Sequence, residues 1–267
     1  MLRLMTLLTF ILLAQKAYTH EKSCPLSQQL VSDFDDTVKI MGIGGNPLKI
    51  VSRALTSKKV YPGMAELYTN LISNLITSSP YLSCRPTFNI LSSSPKFLND
   101  SIDDLLKEKQ FPKATLFLHR LIGKDTQKFK TMALQSILET HKMPMILIGD
   151  DVEYDHTIYE SFKQRNSGNV TAIYIHKVKN RSLPKGQLSY VSAFDLALDL
   201  MDKQLLYPFQ VREIGQHVLD SKMEELIPSF KHCPKTNWIS ESEDAELERL
   251  SLKIQKRVIE YCHLRKN

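Results

Sequence analysis

Short apolar runs recur along the chain at residues 30–33, 88–91, 115–118, 145–148 and 172–175. Between them, apolar residues return every three or four positions over 64–76, 96–109, 130–140 and 156–164. In the first of these, Leu67, Leu71, Ile72 and Ile76 share one face. Runs of the first kind read as buried strands and stretches of the second kind as amphipathic helices. Strand and helix in alternation predict a doubly wound α/β domain, its parallel sheet covered on both faces. Chemistry in such sheets gathers at the carboxyl ends of the strands. After Ser192 the alternation stops. Residues 194–206 and 209–226 read as helices, and a polar stretch with Cys233, Pro234, Ser240 and Ser242 interrupts the pattern. Residues 243–264 form a last helix, acidic at its start and basic at its end, as the helix dipole favours. Its apolar positions suit a membrane surface or docking on its own domain, and docking is expected.

The amino terminus departs from this alternation. Arg3 precedes an apolar run over residues 4–14, followed by Gln15, Lys16, Ala17, Tyr18 and Thr19. A positive start, a short apolar stretch and a small residue near its end describe a secretory signal. A membrane-spanning helix needs about 20 apolar residues, which this run lacks. Cleavage is expected after Thr19, and with no cysteine at the end of the run a lipoprotein anchor is not. The expected organisation is a signal peptide at 1–19, the α/β domain at 20–192 and a helical extension at 193–267. The chain is thus expected to be exported, to the periplasm or outside the cell.

Length and composition agree with one substantial domain and an appendage: 267 residues, no internal repeat and no low-complexity tract. Lys and Arg number 35 against 29 Asp and Glu. Residues 1–19 hold Arg3 and Lys16 and no acid, so 33 basic and 29 acidic residues remain. That mild excess accommodates anionic substrates or membrane surfaces, and equally an ordinary exported protein; no nucleic-acid partner is expected. The four cysteines, Cys24, Cys84, Cys233 and Cys262, lack the C-x-x-C pairs of a zinc site. Cys24 lies nine positions before Asp33 and Cys84 eight before Ser92. If the two strands involved are parallel neighbours, both cysteines fall just below their amino ends. A Cys24–Cys84 bridge is expected, and a Cys233–Cys262 bridge from the remaining pair.

Three strand ends carry chemistry. Residues 30–33 deliver Asp33 and Asp35, whose spacing puts two carboxylates on one side of an extended chain. Such a pair repels itself unless a cation or a shared proton compensates. The run at 88–91 leads into Ser92, Ser93 and Ser94, and the run at 145–148 into Gly149, Asp150, Asp151 and Asp155. Lys130 opens the helical stretch before the last of these strands. Lys124 and Lys128 compete with it, but Leu134, Ile137 and Leu138 follow Lys130 at helical spacing and place it in that helix's first turn.

In this order, the four groups resemble the motifs of the haloacid dehalogenase-like phosphatases. SDFDDTVK at 32–39, YPGMAEL at 61–67, FNILSSSP at 88–95 and LIGDDVEYDHTIY at 147–159 are similar to the catalytic domain of the actin-patch phosphatidate phosphatase family. The likeness covers about 30–178 and leaves the tail beyond Ser192 without support. It implies a haloacid dehalogenase-like Rossmannoid fold and Asp33 as nucleophile. Asp35 then protonates the leaving alcohol and afterwards deprotonates water. Mg²⁺ would be held by Asp33, the Asp35 backbone carbonyl and Asp150, with Asp151 sharing or replacing Asp150. Ser92 would bind a phosphoryl oxygen, and Lys130 would neutralise Asp33 and the transferred group. Thr37 and Asp155 are given supporting roles. Ser93 and Ser94 read as turn residues and His156 as a solvated helix-start residue. Gly42, Gly44 and Gly45 read as a flap turn.

Between Thr37 and Phe88 the chain has room for a flap and one helix but hardly for a large cap domain. An uncapped site accepts a phosphate displayed on something bulky. The expected function is an exported Mg²⁺-dependent phosphatase acting on phosphatidate or a related phospholipid, with peripheral contact to the membrane. Two alternatives stand: a phosphatase for soluble or protein-bound monoesters, and a non-catalytic phospholipid-binding protein.

Overall fold

A computed structural model describes residues 27–41, 57–79, 84–119, 125–228, 233–234 and 244–266. The expected signal peptide, Cys24, Lys124 and the glycines at 42, 44 and 45 lie outside these residues. The described strands are β1 (Gln29–Ser32), β2 (Phe88–Pro95), β3 (Ala114–His119), β4 (Met145–Asp150), β5 (Val170–His176) and β6 (Leu188–Tyr190). They form one sheet in the order β3-β2-β1-β4-β5-β6, and every pairing is parallel. β1 sits at the centre, with Leu30 paired to Phe88 on one side and to Ile146 on the other. The chain winds outward from β1 in both directions, which opens a crevice at its carboxyl end.

The helices that cover the sheet are α1 (Met64–Thr77), α2 (Asn99–Glu108), α3 (Thr126–His141) and α4 (Asp155–Arg165). The carboxyl-terminal part adds α5 (Ala193–Asp202), α6 (Pro208–Asp220), the short α7 (Met223–Leu226) and α8 (Ala245–Lys266). Side chains alternate across each strand, and the core divides accordingly. Leu30, Ile90, Ile146, Ile148 and Tyr174 join the layer with α1, α2 and the carboxyl-terminal helices. Val31, Leu91, Leu147, Ile173 and Ile175 face the other way, onto α3 and α4. Burial on both faces explains why these strands read as continuous apolar runs.

The carboxyl-terminal helices extend the first layer. Phe194, Leu200, Val211, Ile214, Val218, Leu247, Leu250, Ile254 and Val258 are buried there with α1 residues Leu67 and Leu71. Gly215 makes the contact between α5 and α6 close, since a Cβ there would stand 2.7 Å from the Phe194 ring. Ser192 starts α5 with a reciprocal capping box to Asp195. α8 docks on its own domain: Arg212 pairs with Asp244 at 2.6 Å, and the Arg257 guanidinium donates to the Leu219 and Ser221 carbonyls. A disulfide joins Cys233 to Cys262, with Cα atoms 5.5 Å apart. Cys84 is also disulfide-bonded; Cys24, its expected partner, is not among the described residues.

Several boundaries differ from expectation. α3 begins at Thr126, after Asp125 caps it by accepting from the Lys128 amide at 3.4 Å, so Lys130 stands in the second turn. The expected helix over 209–226 is two helices, because Ser221 is extended (φ −74°, ψ 163°) and breaks it. β2 runs on through Ser92–Ser94 to Pro95, and the short, half-exposed β6 carries no alternation to betray it.

Candidate active site

Asp33 follows β1 directly and keeps its ladder going, its amide donating to the Ile148 carbonyl at 2.8 Å. The chain then folds into a tight turn. The Val38 and Lys39 amides both donate to the Phe34 carbonyl, and Asp36 takes a left-handed conformation (φ 57°). Aspartate tolerates that region better than most residues. The turn directs the two carboxylates of the Asp33-x-Asp35 motif to different partners.

Asp33 meets Lys130. The Lys130 ammonium is 1% exposed and bridges Asp33 Oδ1 at 2.6 Å and Asp155 Oδ1 at 2.5 Å. Burial opposes its charge, but Asp155 and Asp33 outweigh burial and hold its pKa well above the usual lysine value. The side chain therefore stays an ammonium. Lys128, its competitor in the sequence, is exposed.

Asp150, at the end of β4, turns into the same space. Its Oδ1 accepts from the Val152 and Glu153 amides at 2.5 and 3.2 Å, and its Oδ2 accepts from the Thr37 hydroxyl at 3.4 Å. Asp155, the first residue of α4, accepts from the Asp150 amide through Oδ2 at 3.4 Å. Gly149 permits this approach, because a Cβ there would lie 2.7 Å from Asp155 Oδ2. Asp33, Asp150 and Asp155 each offer an oxygen within 4.8 Å of the others.

Three buried carboxylates around one ammonium leave negative charge over. Burial pushes the Asp33 carboxyl well above the usual carboxylate range; Lys130 opposes this, while Asp155, Asp150 and Asp35 add to it. Asp150 is raised in the same way, by burial first and then by Asp155. All the donors are oxygens, the set that a hard divalent cation such as Mg²⁺ prefers. A dication would relieve the excess that otherwise raises the pKa of these groups. The residues present fit a metal.

Asp35 faces β2 instead. Its Oδ2 accepts from the Ser92 hydroxyl at 3.2 Å and from the Ser94 hydroxyl at 2.7 Å, and the Ser94 amide donates to Ser92 Oγ at 3.0 Å. Ser94 reads from sequence as a turn residue; the structure puts it on Asp35. The extension of β2 explains this, since residues two apart on a strand share a face. Ser93 points the other way, to Glu153 at 3.1 Å.

Asp151 lies one residue from Asp150 and belongs elsewhere. Its Oδ1 accepts from the Val178 and Lys179 amides at 2.8 and 2.6 Å, its Oδ2 from the Arg181 amide at 2.8 Å, and Lys177 Nζ is 3.5 Å away. Both oxygens anchor the loop after β5, and Asp151 is not in the three-carboxylate group. Asp155 is. His156, expected to be solvated, is 7% exposed, with Gln187 folded over it and donating to its carbonyl at 2.6 Å. Burial lowers its pKa.

The arrangement gathers the two aspartates that follow β1, a fixed ammonium and a cation-ready carboxylate set around one crevice. It suits transfer of a group whose oxygens carry negative charge. Residues 28–177 match the family model of the phosphatidate phosphatase APP1 catalytic domain. The match spans every residue of this cluster. No curated protein and no solved structure matches the chain.

Proposed function

Since the chain belongs to the family of the phosphatidate phosphatase APP1 catalytic domain, we propose that it is an exported, Mg²⁺-dependent phosphatase acting on phosphatidate or a related anionic phospholipid. The observation that carries this reading is the Lys130 ammonium held at 2.6 Å from Asp33 within a buried group of carboxylates. Asp33 is the nucleophile: one of its oxygens forms a bond to phosphorus as the bond from phosphorus to the alcohol oxygen breaks. Asp35 gives its proton to that leaving oxygen. It then takes a proton from water, whose oxygen attacks phosphorus and releases inorganic phosphate and the Asp33 carboxylate. Mg²⁺, held by Asp33, Asp150 and the Asp35 backbone carbonyl, would supply positive charge to the phosphoryl oxygens. Lys130 does the same from the side of α3, and Ser92 donates to a phosphoryl oxygen when it leaves Asp35. Asp155 positions Lys130, and Thr37 steadies Asp150.

Export is supported by the leader-like amino terminus and by the Cys233–Cys262 disulfide, a bond typical of oxidising compartments. Among the described residues, no helix is long and apolar enough to cross a membrane. In this reading, contact with lipid is peripheral.

The test is phosphate release from phosphatidate in mixed micelles beside a panel of soluble phosphomonoesters, with Mg²⁺, with chelator and with Asp33→Asn. Turnover that favours the lipid and vanishes with chelator and with Asp33→Asn is expected. The same sensitivities with a preference for soluble esters overturn the lipid substrate and keep the chemistry. Binding of phosphatidate without release of phosphate overturns catalysis and leaves a lipid-binding protein.

A further inference from the structure

A cleft of about 190 Å³ opens beside Asp35, between the turn after β1 and α2. Its inner wall is apolar, formed by Phe34, Leu98 and Ile102, and its polar lining includes Lys39 and Ser101. Lys58 and Glu108 close the outer end through an exposed ion pair of 2.7 Å. Lys39 is the inner cation. It is 4% exposed, and its backbone is held on both sides, bridging Asp35 and Val60. Its ammonium lies 5.9 Å from the centre of the Phe34 ring, and Asp35 favours its charge while burial opposes it.

In-line displacement dictates what this cleft must do. The nucleophile and the leaving oxygen stand on opposite sides of phosphorus. With Asp33 attacking and Asp35 protonating, the space that Asp35 lines is on the alcohol's side. We propose that this cleft is the leaving-group subsite, in which Lys39 and Ser101 donate to acceptor oxygens on the neck of the alcohol while Phe34, Leu98 and Ile102 pack against its carbons. The inference rests on the proposed activity and adds a selectivity to it. The lining offers donors beside an apolar wall, which suits a glycerol backbone with its ester oxygens, and the selectivity it adds is for that oxygenated neck.

Two variants test this. Ser101→Trp, at an exposed position of α2, fills the cleft from a site that the fold does not depend on. Lys39→Met removes the buried cation. Each is expected to lose kcat/KM on dioctanoyl phosphatidate by about tenfold more than on acetyl phosphate, mainly through KM, as loss of one charge-assisted hydrogen bond or its steric equivalent predicts. Equal losses on both substrates overturn the subsite. If Lys39→Met does not fold, Ser101→Trp decides alone. Should the native chain release phosphate from neither substrate, the proposed activity fails, and binding judges the cleft. Calorimetry would then compare dioctanoyl phosphatidate and inorganic phosphate on Asp33→Asn, with and without Ser101→Trp. Weakening confined to the lipid upholds the subsite, and equal affinities overturn it.

Discussion

Asp150 and Asp151 are neighbours in the chain, both are buried and both accept from backbone amides, but their ionic surroundings differ. Asp151 has three backbone N–H donors within 2.8 Å and an ammonium at 3.5 Å. It is satisfied from within the protein, and the loop over 177–181 is shaped around it. Asp150 shares its space with Asp33 and Asp155, and Lys130 offsets one charge of the three. Consecutive residues at a strand end point to opposite sides, so a double Asp there divides into two sites. The lesson is that burial does not mark a reactive carboxylate. What marks it is a shortage of positive partners, which a cation from solution can make good.

That contrast can be broken most directly at Asp150. Asp150→Asn is expected to lower phosphate release about a thousandfold, the effect of removing a metal ligand worth several kcal/mol in the transition state. In chelator the same variant should melt no lower than the native chain, because one charge of a repelling group is gone. Mg²⁺ at a hundred times its dissociation constant should stabilise the native chain by about 2.7 kcal/mol and the variant by much less. A clear loss of stability in chelator would show that Asp150 is as structural as its neighbour.

Asp151→Ala should behave in the reverse way. The Val178, Lys179 and Arg181 amides lose their acceptor, at about 1 kcal/mol each, so unfolding in urea should show a loss of about 3 kcal/mol. Activity per folded molecule should fall far less than for Asp150→Asn. Unchanged stability, or a thousandfold loss of activity, would erase the difference between the two sites.

The smallest effect sharpens the comparison on the other side of the crevice, where Asp35 depends on neutral hydroxyls. Ser94→Ala removes the 2.7 Å hydrogen bond to Asp35 and should lower kcat by about tenfold, near 1.4 kcal/mol, with KM little changed. Ser94→Thr, which keeps the hydroxyl, should restore most of it. Loss of activity in both variants alike would make Ser94 a packing residue.

Much of the fold was legible in the sequence. Five of the six described strands announce themselves as apolar runs because both faces of the sheet are covered, and the helices between them carry apolar residues at helical spacing. These signals are local and survive any change in the rest of the chain. The fourfold order of Asp33 with Asp35, Ser92, Lys130 and Asp150 was legible for the same reason, as each group follows an apolar run or joins a helical one, although Ser92 lies within β2 and Lys130 in the second turn of α3. The start of α3 at Thr126 and the break at Ser221 were not, because a cap and a single extended residue leave periodicity intact. The docked position of α8 and its Cys233–Cys262 bridge were both expected, although its apolar positions alone suit a membrane surface as well.

The sequence by itself determined which residue types stand at the strand ends, and so which chemistry the crevice can hold. Only the tertiary structure decided their partners. Lys130 reaches Asp33 across 97 residues of sequence, a contact set by how α3 crosses the sheet rather than by anything near either residue. The choice between Asp150 and Asp151, the entry of Asp155 into the carboxylate group and the attachment of Ser94 to Asp35 depend likewise on strand register and on the exit angle of each loop. Electrostatic character falls off over a few ångströms, and distances of that size between remote segments exist only once the sheet has formed.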